Sequence, residues 1–166
     1  MFVRNLLYLI IFALAGCGSF GPTAPEPVPA IAPAAPPPRA ERSEALLQAL
    51  LAIGLDYRYG GKSPSSGFDC SGLVAHVYRA AWGIQLPPNT AAQSKAGVPV
   101  SLAELQAGDL LFYDTLQRPY SHVGIYLGDG KFVHAPKTGA QVRVESLKSS
   151  YWAKRFDGAR RIEPAP

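Results

Sequence analysis

Cys70 is the residue of this 166-residue chain with the clearest capacity for chemistry, and it lies at the start of a predicted amphipathic helix. The apolar residues that follow recur at helical spacing: Leu73, Val74, Val77, Tyr78 and Ala81. Asp69 is a good N-cap, which places Cys70 in the first turn, on the same stripe. There the helix dipole and free amides favour a thiolate, so we expect a thiol pKa below about 8.5. The helix alone leaves a second interpretation open, a small buried hydrophobic residue.

Two histidines lie on neighbouring predicted strands, and the turn between them decides whether they meet. The turn contains Gly128-Asp129-Gly130. A two-residue loop would pair His134 with Ile125 and separate the histidines, whereas a three-residue loop would pair His134 with Gly124 and place both on one face. We predict the three-residue form, a type I turn closed by a left-handed Gly130 bulge.

The shared face of this hairpin is predicted to hold the two imidazoles around a gap. Gly124 lies between them, and a glycine there would let another element, such as the Cys70 helix, approach closely. The opposite face carries Val123, Ile125 and Leu127, a good core strip.

A thiol and two imidazoles are the groups that cysteine-based acyl transfer needs. Cys70 is the predicted nucleophile, His122 the base and later proton donor, and His134 the residue that fixes the tautomer of His122. The backbone N–H of Cys70 and a side chain such as Tyr57 would stabilise the oxyanion. His76 points away from the Cys70 stripe and is left out.

A zinc site is the alternative use of the same three side chains, since one Cys and two His can bind zinc. Their spacing matches no common zinc pattern. We therefore predict no metal and no cofactor.

The first sixteen residues have the layout of a secretory signal, with Arg4 followed by the apolar run Leu6–Leu14. The end of this run, Leu14-Ala15-Gly16-Cys17, resembles the lipobox of bacterial lipoproteins. The resemblance implies cleavage before Cys17 and lipid attachment there, which would anchor the chain to a membrane. Gly18-Ser19 lacks the Asp associated with inner-membrane retention, so we expect the outer membrane, facing the periplasm. An ordinary signal peptide is the alternative.

Three segments follow from the composition: a signal peptide over residues 1–16, a lipidated Cys and Pro/Ala-rich tether over 17–42, and one domain over 43–166. In the domain, Ser43 is predicted to cap a helix that buries leucines and Ile53, and Asn89 and Ser101 begin shorter helical turns. Short strands follow, at Leu110–Tyr113, His122–Leu127, Lys131–Ala135, Val142–Val144 and Ala159–Ile162. Helices followed by antiparallel strands indicate an α+β domain with helices packed on a central sheet.

The charge pattern excludes one class of partner. The formal net charge is +4, but Lys and Arg form no dense run, so nucleic-acid binding is not indicated. The sequence also contains no P-loop and no dinucleotide-binding fingerprint.

With these residues in place, the chain resembles the NlpC/P60 family of bacterial cell-wall cysteine peptidases. The motifs that carry the resemblance arrive in the family's order: Tyr57-Arg58-Tyr59-Gly60-Gly61, Phe68-Asp69-Cys70-Ser71-Gly72-Leu73-Val74, Gly108-Asp109-Leu110, Ser121 to Gly128, Phe132-Val133-His134-Ala135 and Gly158-Ala159-Arg160-Arg161-Ile162.

The resemblance implies a papain-like fold, a Cys70–His122–His134 triad, and hydrolysis of amide bonds in the peptide stems of peptidoglycan. It implies that Tyr57 and Ser71 lie near the substrate or the oxyanion. Pro88 stands where similar proteins often carry a basic residue, which leaves the contribution of that position open.

Several functions stay open at this stage. The first is an endopeptidase that cuts between γ-D-glutamate and diaminopimelate, and its nearest rival cuts D,D-crosslinks between stems. Acyl transfer or thioester hydrolysis is a different enzyme class, and a non-catalytic wall-binding lipoprotein is the alternative without catalysis. Regulatory or adaptor lipoproteins are conceivable partners that the sequence does not identify.

Overall fold

A computed structural model describes residues 38–163 of the chain. The helices are α1 (Pro38–Leu51), α2 (Cys70–Trp82), α3 (Thr90–Gln93), a 3₁₀ turn (Leu102–Glu104) and α4 (Ser150–Ala153). The strands are β1 (Lys62–Ser63), β2 (Gly67–Phe68), β3 (Val98–Val100), β4 (Leu110–Tyr113), β5 (His122–Gly128), β6 (Lys131–His134), β7 (Arg143–Ser146) and β8 (Phe156–Arg161).

The N-terminal predictions lie outside the described residues. They are the signal peptide, the lipidated Cys17 and the tether up to residue 37. Among residues 38–163, no helix combines the length and the apolar character that crossing a membrane requires.

Six strands form one antiparallel sheet in the order β3-β8-β4-β5-β6-β7, while β1 and β2 pair separately. The last strand along the chain, β8, lies inside the sheet between β3 and β4. Helices that precede an antiparallel sheet and pack on it confirm the predicted α+β class.

The sheet has two apolar faces, each covered by a different part of the chain. One face packs against α1 and α2, and its buried residues include Phe112, Val123 and Ile125. The other face carries Leu111, Tyr113, Phe132 and Ala159, and Trp152 of α4 covers it. Helix α2, which carries Cys70, therefore packs on the face that contains Val123. The sequence predicted that it would approach the face that carries the histidines.

The glycine between the histidines serves a different neighbour from the predicted one. A Cβ atom at Gly124 would lie 2.7 Å from Cδ2 of Phe132 and 2.9 Å from the carbonyl oxygen of Val133. Gly124 therefore leaves room for β6 and the Phe132 ring, and the prediction that it admits the Cys70 helix is wrong.

Helix α1 begins earlier and buries different residues than predicted. It starts at Pro38, and the predicted cap Ser43 lies inside it. Proline suits the first helical turn, where no N–H is needed, and the residues after it are good helix formers. The buried residues are Ala45 and Ala49, with Ala52 directly after the helix, whereas the predicted Leu47, Leu50 and Ile53 are exposed. Small residues let α1 lie close to α2, which the leucine spacing did not indicate.

Helix α2 begins at the predicted N-cap, Asp69. The Asp69 side chain accepts a hydrogen bond of 2.7 Å from the Gly72 N–H, and Gly83 ends the helix in a left-handed conformation. A Cβ atom at Gly72 would overlap the carbonyl oxygen of Gly61, so this glycine lets the segment before β1 lie directly against the helix. The predicted Asn89 cap is also confirmed, since its side chain accepts from Ala92 N–H.

The β5–β6 hairpin has the predicted register through a different turn. Ile125 pairs with Val133 and, continued by one residue, this register sets His134 opposite Gly124, as predicted. The turn itself has two residues, Asp129 and Gly130, both at positive φ, and Gly128 pairs with Lys131. The three-residue turn is therefore wrong. The two positive φ angles fit a tight two-residue hairpin turn. A register shift between Tyr126 and Gly128 takes up the residue that the predicted longer loop would have contained.

A buried carboxylate joins the start of β4 to the end of β8. Asp109 is fully buried, and the Arg161 guanidinium donates to both of its oxygens at 2.8 Å. Arg42 of α1 lies 3.7 Å from the same carboxylate. Two of the motifs that carried the family resemblance therefore meet in this ion pair, whose bidentate geometry suits a buried position.

Candidate active site

The Cys70 side chain lies where the first turn of α2 meets the start of β5. The thiol is largely buried, and the backbone N–H groups of Val123, Ser71 and Cys70 itself are directed at its sulfur. Because Val123 directly follows His122, the sulfur lies beside the strand residue that was predicted to be its base.

The two histidines are joined by a hydrogen bond. His122 Nε2 and His134 Nδ1 lie 2.7 Å apart, and the two rings are perpendicular. Both residues are buried. The bond uses one nitrogen of His122, so only Nδ1 is left to exchange a proton with another group. The structure thus brings together the pair that the hairpin register predicted.

Aromatic rings enclose the imidazoles. Trp152 stacks on His122 with ring centroids 5.6 Å apart and meets the His134 ring edge-on at 4.9 Å. Phe132 packs against both His134 and Trp152, with ring centroids 5.1 Å from each. Trp152 was not foreseen, because α4 has only four residues and gives no periodic signal.

Burial raises the pKa of the Cys70 thiol, whereas the sequence predicted a lowered pKa. Burial, with a smaller contribution from Asp69, raises the pKa of Cys70 to about 11, although the three backbone N–H groups act to lower it. Burial lowers the pKa of His122 to about 4. The pKa of His134 is also lowered, by burial and by the charges of His122 and Arg143. Burial therefore favours the neutral forms of both the thiol and the imidazole.

Tyr57 and Ser71, the other two predicted site residues, lie near the sulfur. The pKa of Tyr57 is raised by partial burial and, next in size, by the negative charge that Cys70 would carry. The Ser71 hydroxyl donates to Asp69 Oδ1 at 2.9 Å, so its backbone N–H rather than its hydroxyl is directed at the sulfur.

Asp69 connects these parts of the site. Besides capping α2, it accepts a hydrogen bond of 2.9 Å from the Gly60 N–H through its second oxygen. One carboxylate thus fixes the Tyr57 segment relative to the first turn that carries Cys70. Sequence reasoning identified the cap but missed this second contact.

Two pockets lie beside these residues. One of about 480 Å³ is lined by Tyr57 and its neighbours and by residues 138–140. Another of about 430 Å³ is lined by His122, Trp152 and parts of β7. Both are of a size that small ligands occupy.

Two further predictions concern residues around the site. His76 packs against Phe68 and takes no part in the cluster, as predicted. Within residues 38–163, no group of three or more His, Cys, Asp or Glu side chains is placed to hold a metal ion.

Comparisons with known proteins match most of this domain. The model of the family described as NlpC/P60 matches residues 54–161. The murein DD-endopeptidase MepH of Escherichia coli K12 is 42% identical over 113 residues, which are 66% of this chain and 42% of that protein. MepS, a murein DD-endopeptidase and LD-carboxypeptidase of the same strain, is 41% identical over 66% of this chain and 56% of its own.

One relative is named for a different activity, and one solved structure matches the same domain. The gamma-DL-glutamyl hydrolase of Bacillus subtilis 168 is 38% identical over 67% of this chain and 27% of its own length. The crystal structure of the NlpC/P60 domain of peptidoglycan hydrolase SagA matches with a TM-score of 0.64 and 38% identity, over 73% of this chain and 98% of that one. The chain thus spans about half or less of the curated relatives that it matches.

Proposed function

The chain belongs to the NlpC/P60 family, and we propose that it is a cysteine peptidase that hydrolyses amide bonds in the peptide stems of peptidoglycan. The observation that carries this proposal is the 2.7 Å hydrogen bond between His122 and His134 beside the Cys70 thiol. The relatives named as murein endopeptidases support the substrate class.

In the acylation step, His122 Nδ1 takes the Cys70 proton as the sulfur attacks the carbonyl carbon of the amide. A C–S bond forms, and the carbonyl oxygen becomes an oxyanion that the Cys70 N–H and the Tyr57 hydroxyl would stabilise. His122 then donates the proton to the amine nitrogen, the C–N bond breaks, and an acyl-enzyme remains. Water, activated by His122, releases the acid and restores the thiol.

His134 acts in this scheme as a positioning residue. For His122 to accept a proton at Nδ1, its own hydrogen must lie on Nε2 and be donated to His134 Nδ1. His134 then carries its hydrogen on Nε2. This arrangement fixes both tautomers and stabilises the imidazolium that forms during the reaction.

Two bonds in the stem are candidates for cleavage. The γ-D-glutamyl–diaminopimelate bond predicted from the sequence has support from the B. subtilis relative, named as a gamma-DL-glutamyl hydrolase. The D,D-crosslink between stems has support from MepH and MepS, the two E. coli relatives. The products of digestion distinguish the two bonds.

The decisive experiment is digestion of purified peptidoglycan by the full-length chain in detergent, with products identified by mass spectrometry. Stems shortened to the dipeptide establish cleavage after D-glutamate, whereas crosslinked dimers reduced to intact monomers establish D,D-cleavage. C70A is expected to release no product while still binding the polymer. H76Q, which changes a histidine outside the site, is the matched control and should retain wild-type turnover. Equal product from C70A and wild type would refute the catalytic proposal.

We also propose that lipid on Cys17 anchors the protein to the outer membrane, facing the periplasm. The lipobox-like sequence before Cys17 and the absence of Asp after it support this placement. Incorporation of labelled palmitate into the wild type but not into C17A tests the anchor. Recovery of the labelled wild type in the inner-membrane fraction would contradict the placement.

A further inference from the structure

The pocket beside His122 is the candidate site for the leaving half of the substrate. In the proposed reaction, His122 donates a proton to the amine nitrogen, so the leaving half of the substrate must lie next to this ring. The 430 Å³ pocket is lined by His122 but not by Cys70. We call it the leaving-group pocket; its lining includes His122, Lys137, Arg143, Glu145, Tyr151 and Trp152.

The strand register places two of these charged side chains on the imidazole face of the sheet. Arg143 pairs directly with His134, and Glu145 pairs with Phe132, so each shares a face with its partner. Cys70 reaches the reaction centre from α2, which covers the opposite face. The pocket and the nucleophile therefore lie on different sides of β5.

The charges in the leaving-group pocket favour an anion. Arg143 donates from Nε to Glu145 Oε1 at 2.8 Å, and this contact orients the guanidinium. The two Nη groups take no part in that hydrogen bond. Lys137 has no ion pair with an acidic side chain in the part of the chain that the structure describes. Two cations and one carboxylate give the lining a net charge of +1, beside the apolar surface of Tyr151 and Trp152.

We propose that the leaving-group pocket binds a free carboxylate on the amine side of the scissile bond, through Lys137 and Arg143. This inference rests on the proposed peptidase function and adds a determinant of its specificity. The aromatic residues contact the carbon chain that joins the carboxylate to the leaving amine, while Glu145 holds Arg143 in place. A carboxylate fits because paired guanidinium and ammonium groups bind it by charge-assisted hydrogen bonds.

Steady-state kinetics on two synthetic stem peptides test this proposal. The peptides share the scissile bond and differ in one group of the leaving half, a free carboxylate or a carboxamide. The full-length wild type is expected to show a kcat/KM about tenfold higher for the carboxylate, mainly through KM. K137M and R143Q should each remove most of this preference by raising KM for the carboxylate peptide. K131M, a lysine on β6 outside the pocket, is the matched control.

The outcomes separate this proposal from the function on which it rests. If the wild type hydrolyses both peptides equally, or if the two variants retain the full preference, the carboxylate site is refuted while the peptidase function stands. If R143Q slows both peptides equally through kcat, Arg143 acts on the histidine pair rather than on substrate, and its place in the site is refuted. If the wild type hydrolyses neither these peptides nor peptidoglycan, both proposals fail.

Discussion

In the triad that we propose, His134 occupies the position at which the serine-protease triad carries an aspartate, and it brings no negative charge. The base His122 therefore has a neutral hydrogen-bond partner at 2.7 Å and a buried ring, and its pKa is lowered to about 4. Such an imidazole accepts the Cys70 proton only as the sulfur attacks, and it returns the proton readily to a leaving amine. The site is thus organised for proton transfer during the reaction rather than for a stored thiolate.

This arrangement predicts how Cys70 reacts with an alkylating agent. Because only the thiolate is nucleophilic and the pKa of Cys70 is raised to about 11, the thiolate fraction rises with pH throughout the accessible range. We expect the rate of alkylation by iodoacetamide to increase about tenfold per pH unit between about pH 7 and 9. Mass spectrometry of the peptide that contains Cys70 measures this rate, with free glutathione as the reference. A plateau below pH 8 would instead indicate a thiolate–imidazolium pair.

At the scale of elements, α2 is held against the segment before β1 by a contact between two glycines. A Cβ atom at Gly72 would overlap the Gly61 carbonyl oxygen, which belongs to the backbone and has little freedom to move. Asp69 joins the same two segments through its hydrogen bonds to Gly60 and Gly72. The relative position of Cys70 and Tyr57 depends on this contact.

We therefore expect G72A to destabilise the protein, although alanine favours helices over glycine by about 1 kcal/mol. Overpacking against fixed backbone should lower the free energy of unfolding by about 1–3 kcal/mol and reduce turnover, because the Tyr57 segment is displaced. Urea unfolding and peptidoglycan digestion measure the two effects. A80G, on the exposed side of α2, is the matched control and should cost about 1 kcal/mol without loss of turnover. A stabilised G72A would show that the two segments are free to separate.

The sequence was informative where one residue type determines the local structure. Asp69 and Asn89 predicted the starts of helices, and the alternation around His122 predicted the face that the histidines share. The predicted three-residue turn was wrong because Gly128, Asp129 and Gly130 all adopt positive φ. Such residues permit loops of different length with the same strand register.

Other features depend on neighbours that are distant in sequence. Leu47, Leu50 and Leu51 are exposed because α1 packs against α2 through alanines. The spacing of apolar residues does not say which partner a helix will meet. Trp152 covers the imidazoles from a helix of four residues. The raised pKa of Cys70 follows from burial, whereas the helix position alone indicated a lowered one.

At the scale of the whole molecule, the buried imidazoles make stability depend on pH. The pKa of His122 is lowered from 6.5 to about 4 in the folded state, and that of His134 is lowered as well. The unfolded chain therefore binds more protons than the folded one below pH 6.5, so the stability present above that pH is lost as the pH falls towards 4.

We expect the free energy of unfolding to fall by about 3 kcal/mol through His122 alone between about pH 6.5 and 4. Urea unfolding at intervals across this range measures the slope. H122Q should show a smaller loss of stability over the same interval, because its side chain does not titrate, while H76Q, which changes a less buried histidine, should retain most of the slope. Identical slopes for wild type and H122Q would contradict the burial of a neutral imidazole.

The position of β8 has a consequence for how the protein is made. Residues 156–161 form the last strand of the described residues, yet they lie between β3 and β4 and supply Arg161 to the buried Asp109. Before they emerge from the ribosome, β4 has an open edge, β3 has no sheet to join, and Asp109 lacks its bidentate contact with Arg161. Until residues 156–161 join the sheet, the scaffold that positions the proposed nucleophile and base is therefore incomplete.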